Sequence, residues 1–165
     1  MAKTNSSEPI KESALVTHTP VGKLAASDLH KLFGYQLAQA TITTTKVFLK
    51  EVGVPLDLRP VEFTLLTLIA ENPGVSSAQL AKALAVTKPN ITMWVDKLEA
   101  RKLVQRSPSK TDKRSTDLRA TTTGAKLAIQ ATDNLVRGER EAIQYLSAAE
   151  RGMLIELLHK VARSR

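Results

Sequence analysis

The chain has 165 residues and a mass of 18.0 kDa, and 42% of its residues are hydrophobic, which is enough for one buried core with helical extensions. It carries 24 Lys and Arg against 16 Asp and Glu, a net charge of +8, which favours a polyanionic partner such as nucleic acid or an anionic membrane surface. Cysteine is absent, the three histidines lack ligand spacing, and neither an apolar run of about 20 residues nor a signal-peptide core occurs, so we expect a cytoplasmic protein with no metal or cofactor.

The first predicted element is a polar, Pro-containing arm over residues 1–23, which has no apolar period and is therefore expected to be mobile. From Ser27, which can act as an N-cap, apolar residues recur at intervals of three, four and seven. This pattern predicts one long helix from residue 27 to about residue 51, although the run "TITTT" has low helix propensity.

The next three predicted helices are short and close together. Pro60 suits the first turn of a helix over residues 60–71, which "ENPG" ends. Ser76 and Gln79 form a capping-box signal for a helix over residues 77–84, and after a brief turn at Ala85 and Val86, Thr87 is expected to cap the following helix. Two short helices joined by a tight turn predict a helix-turn-helix.

A basic hairpin and two further helices complete the predicted order. Residues 103–105 and the alternating "TDLRA" read as two strands joined by the polar loop "SPSKTDKRST". Thr121 can cap a helix from residue 122 to about residue 146, and Ser147 with Glu150 forms a second capping box before an apolar last helix. The predicted fold class is therefore mainly α, with a small β-hairpin.

The helix that begins after Thr87 has two different faces. Ile91, Trp94, Val95 and Leu98 fall on one side and predict a buried stripe. The exposed side, concentrated at the N-terminal end, where backbone N–H groups and the helix dipole favour phosphate, carries Lys88, Pro89, Asn90, Thr92, Met93 and Lys97. Such a helix fits the DNA major groove, where Asn and Lys hydrogen-bond base edges and Thr and Met carbons contact a thymine methyl.

The positive charge is concentrated on the same region. Residues 76–120 contain ten Lys and Arg against four Asp and Glu, a net +6, whereas the other 120 residues contain 14 against 12, a net +2. Lys110, Lys113 and Arg114 fall at the predicted hairpin tip, where they would follow phosphates or enter an adjacent minor groove.

These elements resemble the MarR family of winged-helix transcription regulators over roughly residues 27–163. The resemblance is carried by "QLAKALAVTKPNITMWVDKLEARKLVQR" and by "TDKRST", in which Asp112 and Arg114 match the family's acidic-x-basic wing signature. The sequence departs from the family at Lys102, where Gly is usual, at Ala85, and at "ATTTG" before the long helix. Lys102 is therefore expected to adopt a left-handed conformation.

The resemblance implies a winged helix-turn-helix with N- and C-terminal dimerisation helices. Residues 24–165 would form one domain, with dimerisation helices at 27–51 and 122–163 and a DNA-binding region at 60–121. It also implies a cytoplasmic homodimer that acts as a repressor on a pseudo-palindromic operator of double-stranded DNA, and such regulators are often released by a small aromatic or phenolic effector. His30, Tyr35 and Arg59 lie near where this family forms such pockets, and an ordinary surface or core role for each stays open. The predicted DNA-binding residues are Ser76, Gln79, Thr87, Lys88, Pro89, Asn90, Thr92, Met93, Lys97, Lys110, Asp112, Lys113 and Arg114.

The sequence argues against two other functions and leaves a third open. The sequence has no nucleophile elbow, Gly-rich phosphate loop or His-rich metal spacing, which argues against an enzyme. A membrane-surface helix is disfavoured because the exposed face of residues 88–101 lacks bulky apolar residues opposite its charges. The function left open is a winged-helix protein-interaction module without DNA binding, although such a surface would more often carry exposed aromatics in place of Asn90 and the basic wing.

Overall fold

The computed structural model describes residues 18–108 and 116–163, and the chain divides into two compact units, Met1–Thr43 and Thr44–Arg165. The described residues are mostly helical, with one small antiparallel sheet. The mainly α fold class with a β-hairpin is therefore confirmed.

The first unit contains a turn and a helix that is broken near its start. In the expected arm, residues 1–17 lie outside the described residues. Residues 18–25 form a closed turn, in which the Thr19 N–H donates to the Leu24 carbonyl at 2.8 Å. Helix α1 spans Ser27–His30 and helix α2 spans Phe33–Phe48, so the prediction of one continuous helix over 27–51 is wrong. The Gln36 side chain donates to the His30 carbonyl at 2.9 Å and so occupies the acceptor that a continuous helix would give to residue 34.

In the second unit, α2 runs into one π-helical turn, Leu49–Gly53, where the Val54 N–H donates to the Leu49 carbonyl at 3.0 Å. Helix α3 spans Pro60–Glu71 as predicted, with its Leu65, Leu66 and Ile69 buried. The Arg59 N–H donates to Glu62 Oε2 at 3.0 Å, which fixes the start of α3.

The next elements form the predicted helix-turn-helix and hairpin. They are β1 at Val75–Ser76, α4 at Ser77–Leu84, α5 at Lys88–Ala100, β2 at Val104–Pro108 and β3 at Thr116–Ala120. The strands lie antiparallel in the order β1-β3-β2, with Val75 opposite Leu118 and Arg106 also opposite Leu118. Strand β1 was not predicted, because a two-residue strand has no period and its partner lies more than 40 residues away in the sequence.

Helices α6, Thr122–Ala142, and α7, Ala148–Ala162, follow. Thr121 and Ser147 both cap as predicted, since their hydroxyl oxygens accept from the Gly124 N–H at 3.0 Å and the Glu150 N–H at 3.2 Å. Hydrogen bonds from Ser147 hold the pKa of Glu150 below its usual range. Helix α6 ends at residue 142 and not near 146, because Ile143 leaves helical geometry with φ −114° and ψ 33°.

The core of the second unit lies where α3, α5 and the sheet meet, and α6 packs on α3. This core orients α5, since three of its side chains are fully buried there. The largest fully buried side chains are Val52, Leu65, Leu66, Ile69, Ile91, Val95, Leu98, Val104 and Leu118.

Both helices of the helix-turn-helix end in the same hydrogen-bonding motif. After α5, the Lys102 N–H donates to the Glu99 carbonyl at 2.8 Å and the Leu103 N–H donates to the Leu98 carbonyl at 2.9 Å, with Lys102 at φ 58°. Ala85, at φ 53°, occupies the equivalent position after α4. This arrangement is a Schellman motif, which normally has Gly at the left-handed residue. The φ of 58° at Lys102 confirms the left-handed conformation expected there.

Replacing Lys102 by Gly is expected to raise the free energy of unfolding by about 0.5–1 kcal/mol, because Gly adopts a left-handed conformation without steric cost. Chemical denaturation monitored by circular dichroism would measure the change. The matched control Lys126→Gly removes the same side chain from the exposed interior of α6 and should instead lower stability by about 1 kcal/mol. Equal destabilisation by both changes would show that the φ of Lys102 carries no strain.

Candidate nucleic-acid interface

The two faces of α5 are separated as the sequence predicts. Ile91, Val95 and Leu98 are fully buried and Trp94 is half-buried. The other face is exposed from the N-terminal tip to the last turn of the helix, at Lys88, Pro89, Asn90, Thr92, Met93 and Lys97. The core therefore fixes the axis of α5 while its polar tip remains accessible to a ligand as large as a nucleic acid.

Thr87 lies at the N-cap position of α5 with φ −76° and ψ 149°, but its side chain makes no capping hydrogen bond. The predicted capping role of its hydroxyl is therefore wrong. Its carbonyl accepts instead, from the Asn90 N–H at 3.1 Å and the Ile91 N–H at 3.3 Å. The Thr87 side chain is exposed beside Lys88 and Asn90, where a hydroxyl not engaged in capping is suited to donate to a phosphate.

Ser76 and Gln79 meet at the N-terminus of α4. The Ser76 N–H and hydroxyl both donate to Gln79 Oε1 at 2.9 Å, and the Gln79 N–H donates to Ser76 Oγ at 3.2 Å. The predicted capping box is confirmed. Because Gln79 Oε1 already accepts two hydrogen bonds, the amide NH₂ group is the part of this side chain that remains available to a ligand.

Strands β2 and β3 pair from Val104 opposite Ala120 to Pro108 opposite Thr116, so the predicted hairpin is confirmed, with its first strand starting at Val104 and not at Leu103. Seven residues, 109–115, connect the two strands. The predicted wing residues Lys110, Asp112, Lys113 and Arg114 belong to this connection and lie outside the described residues.

One cluster that sequence reasoning missed joins the hairpin to α5. Arg106 Nη2 donates to Asp96 Oδ1 and Arg106 Nη1 donates to Glu99 Oε2, each at 2.5 Å. The sequence carries a signal for this cluster. Asp96 and Glu99 are three residues apart on one helix, and Arg106 lies two residues after the buried Val104, so it is on the same side of the strand.

Neither a cluster of metal-ligand residues nor a membrane-spanning helix is found in residues 18–108 and 116–163. These residues contain no group of three or more His, Asp or Glu that could hold a metal ion. Within the same ranges, no helix is both long enough and apolar enough to cross a bilayer.

The MarR family model matches residues 58–116, which cover the helix-turn-helix and most of the hairpin. A transcriptional regulatory protein assigned to the hcr operon of Thauera aromatica is 32% identical over 150 residues, which are 86% of this chain and 90% of that protein. The HTH-type transcriptional repressor NicR of Pseudomonas putida is 30% identical over 83% of this chain and 86% of its own length. The structure of the transcriptional repressor CouR bound to a 23-mer DNA duplex superposes with a TM-score of 0.77 at 31% identity, covering 84% of this chain and 98% of that one.

Proposed function

Because this chain belongs to the MarR family of transcription regulators, we propose that it is a sequence-specific repressor that binds double-stranded DNA as a homodimer. The observation that carries the proposal is α5, whose polar tip is exposed at Lys88, Asn90 and Thr92. On its opposite side, Ile91, Val95 and Leu98 are fully buried. A helix held in this way can enter a major groove without any rearrangement of the core.

In this proposal, side chains at the N-terminal tip of α5 contact the edges of DNA bases. The wing, residues 109–115, contacts the DNA backbone. Asn90 can form a bidentate pair with adenine, and the carbons of Thr92 and Met93 can contact a thymine methyl. Thr87, Lys88 and Lys97 are suited to phosphates, as are the wing residues Lys110, Lys113 and Arg114. The net charge of +6 over residues 76–120 supports an electrostatic contribution to affinity.

The homodimer is supported by α7. No residue of this fully described helix is buried, and six of its large apolar side chains are between 36% and 70% exposed. An apolar surface of this kind on a protein of 165 residues usually marks an interface. These side chains are Met153, Leu154, Ile155, Leu157, Leu158 and Val161. We propose that the α7 helices of two copies cover one another, which would give two α5 tips for a pseudo-palindromic operator.

A groove in the second unit supports the proposed release by a small aromatic effector. Its volume is about 280 Å³, and Phe48 and Phe63, whose ring centroids lie 6.0 Å apart, form its aromatic part. The remaining lining residues are Thr44, Thr45, Pro60, Thr64, Leu135 and Glu139. His30, Tyr35 and Arg59, which the family resemblance suggested, are not among these residues, and His30 and Tyr35 instead contact each other edge to face at 5.9 Å.

The proposal places the protein in the cytoplasm and assigns it no catalytic activity. A winged-helix module that binds only proteins is the second candidate. It is less well supported because Met93 is the only large apolar side chain exposed on α5 among the residues that the structure describes.

Two substitutions distinguish contacts to DNA bases from contacts to the DNA backbone. Asn90→Ala should weaken binding to the best operator by about 1–3 kcal/mol with little loss on random DNA, because a base contact discriminates between sequences. Lys113→Ala should weaken binding to both duplexes alike and reduce the salt slope by about 1 per phosphate contact, or by about 2 in a dimer. Binding isotherms at several salt concentrations, on an operator selected from genomic fragments and on a random duplex, would measure both effects.

Gln130→Ala and Lys126→Ala are matched controls, since they remove an amide and an ammonium from exposed positions of α6. Neither should change the affinity for DNA. If Asn90→Ala leaves the ratio of operator to random binding unchanged, α5 does not read bases. If the wild-type protein binds no fragment, the protein-interaction module becomes the better proposal.

A further inference from the structure

Arg106 lies at the place where the hairpin meets α5. It is opposite Leu118 in the strand register, and Leu118 is fully buried, so Arg106 projects from the core-facing side of the sheet toward the helix. Val104, two residues earlier on the same side, is 2% exposed, whereas the Arg106 side chain is 31% exposed. The alternation of β2 therefore directs Arg106 to the rim of the core, where its stem can pack and its guanidinium can reach α5.

The guanidinium engages two carboxylates at once. Nη2 donates to Asp96 Oδ1 and Nη1 donates to Glu99 Oε2, each at 2.5 Å, and both acids are one turn apart on α5. The planar guanidinium has a fixed geometry, so the two bonds restrain both the distance and the rotation of β2 relative to α5. One ammonium on a flexible stem would not impose the same orientation.

These carboxylates lie on a helix that is proposed to face a polyanion. Helix α5 carries two lysines, Lys88 and Lys97, and two acids, Asp96 and Glu99, so it has no net charge by itself. Side chains of Asp96 and Glu99 are 55% and 38% exposed. Judged by charge alone, both acids should oppose DNA binding, and their presence needs another explanation.

We propose that Arg106 is a positioning residue for DNA binding, which orients strand β2 of the hairpin against α5 through Asp96 and Glu99. Arg106 stands two residues before Pro108, where β2 ends and the connection that carries the basic wing residues begins. Fixing β2 at this point fixes where that connection leaves the protein relative to the tip of α5. The inference rests on the proposed DNA-binding function and adds to it that the two acids promote binding.

The proposal is tested by whether one double variant binds DNA more weakly or more tightly than wild type. The double variant Asp96→Asn with Glu99→Gln removes two negative charges but keeps the size of both side chains. Charge alone predicts tighter DNA binding, whereas loss of the charge-assisted bonds to Arg106 predicts weaker binding. We expect affinity for operator and random duplex to fall about 3- to 30-fold.

Three further variants complete the experiment. Arg106→Ala should weaken binding by a similar factor, and Arg106→Lys should do so to a smaller extent. The control Glu71→Gln with Asp133→Asn removes two exposed carboxylates from α3 and α6 and should leave affinity unchanged or slightly higher. Thermal unfolding midpoints should remain within about 4 °C of wild type, because exposed ion pairs contribute little to stability. Fluorescence of Trp94, the only tryptophan, would show that the environment of α5 is preserved.

Tighter or unchanged binding by the double variant, with wild-type fluorescence, would overturn the positioning role and leave the proposed function intact. A wild-type protein that binds no duplex would instead overturn the proposed function, and this inference with it. Loss of binding in Arg106→Ala that is reversed by adding Asp96→Asn and Glu99→Gln would also contradict positioning, since it would show that Arg106 only neutralises the two acids.

Discussion

Replacing Leu154 and Leu157 by lysine is expected to convert the dimer into a monomer and to weaken operator binding about 10²- to 10⁴-fold. Both side chains lie on the unburied helix α7, at 43% and 49% exposure, and two charges there cannot be covered by a second copy without a large desolvation cost. The loss is large because, once α5 of one copy is bound, α5 of the second copy meets the same DNA at a high effective concentration. Light scattering would measure the mass, which should fall from about twice the 18.0 kDa of one chain, and isotherms on the palindrome would measure affinity.

The control for this prediction is Gln130→Lys with Gln144→Lys, which adds the same charge at exposed positions outside α7. It should remain dimeric and bind the operator at least as tightly as wild type. A Leu154 and Leu157 variant that stays dimeric would place the interface elsewhere. A monomeric variant that still binds the palindrome with wild-type affinity would contradict the proposal that two α5 helices of a dimer bind one operator.

Replacing Gly124 by Ala is expected to lower the free energy of unfolding by about 3 kcal/mol or more and the thermal midpoint by about 10 °C. A Cβ on Gly124 would lie 1.9 Å from the carbonyl oxygen of Leu103 and 2.8 Å from its carbonyl carbon. Both atoms belong to the backbone, and the same oxygen accepts from the Thr121 N–H at 3.0 Å. Relief of the clash must therefore move the start of α6 away from the segment that joins α5 to the hairpin.

Gly34→Ala is the matched control, because a Cβ there would meet nothing within 4 Å. It should be neutral or should stabilise by up to about 1 kcal/mol, as Ala is the better helix former. Calorimetry on both variants and wild type would measure the difference. Equal midpoints for Gly124→Ala and Gly34→Ala would show that α6 can shift without loss of packing.

The sequence by itself predicts those elements that are marked by residues within about one helical turn of one another. Ser76 with Gln79, and Ser147 with Glu150, form capping boxes three residues apart, and both mark the observed starts of α4 and α7. Pro60 likewise marks the start of α3, and the apolar stripe of α5 correctly predicts which of its faces is buried. Such signals depend on neighbours in the chain, so no knowledge of the remaining fold is needed.

Other features were decided by the tertiary structure, because their partners are distant in sequence or compete with the local pattern. The Gln36 amide takes the His30 carbonyl and breaks a helix whose apolar period is continuous, and β1 exists only through its pairing with β3. Arg106 reaches Asp96 and Glu99 only because the strand register turns it toward α5. Periodicity specifies which face of an element is apolar, whereas the strength of a hydrogen bond or an ion pair depends on groups that only folding brings to within about 3 Å.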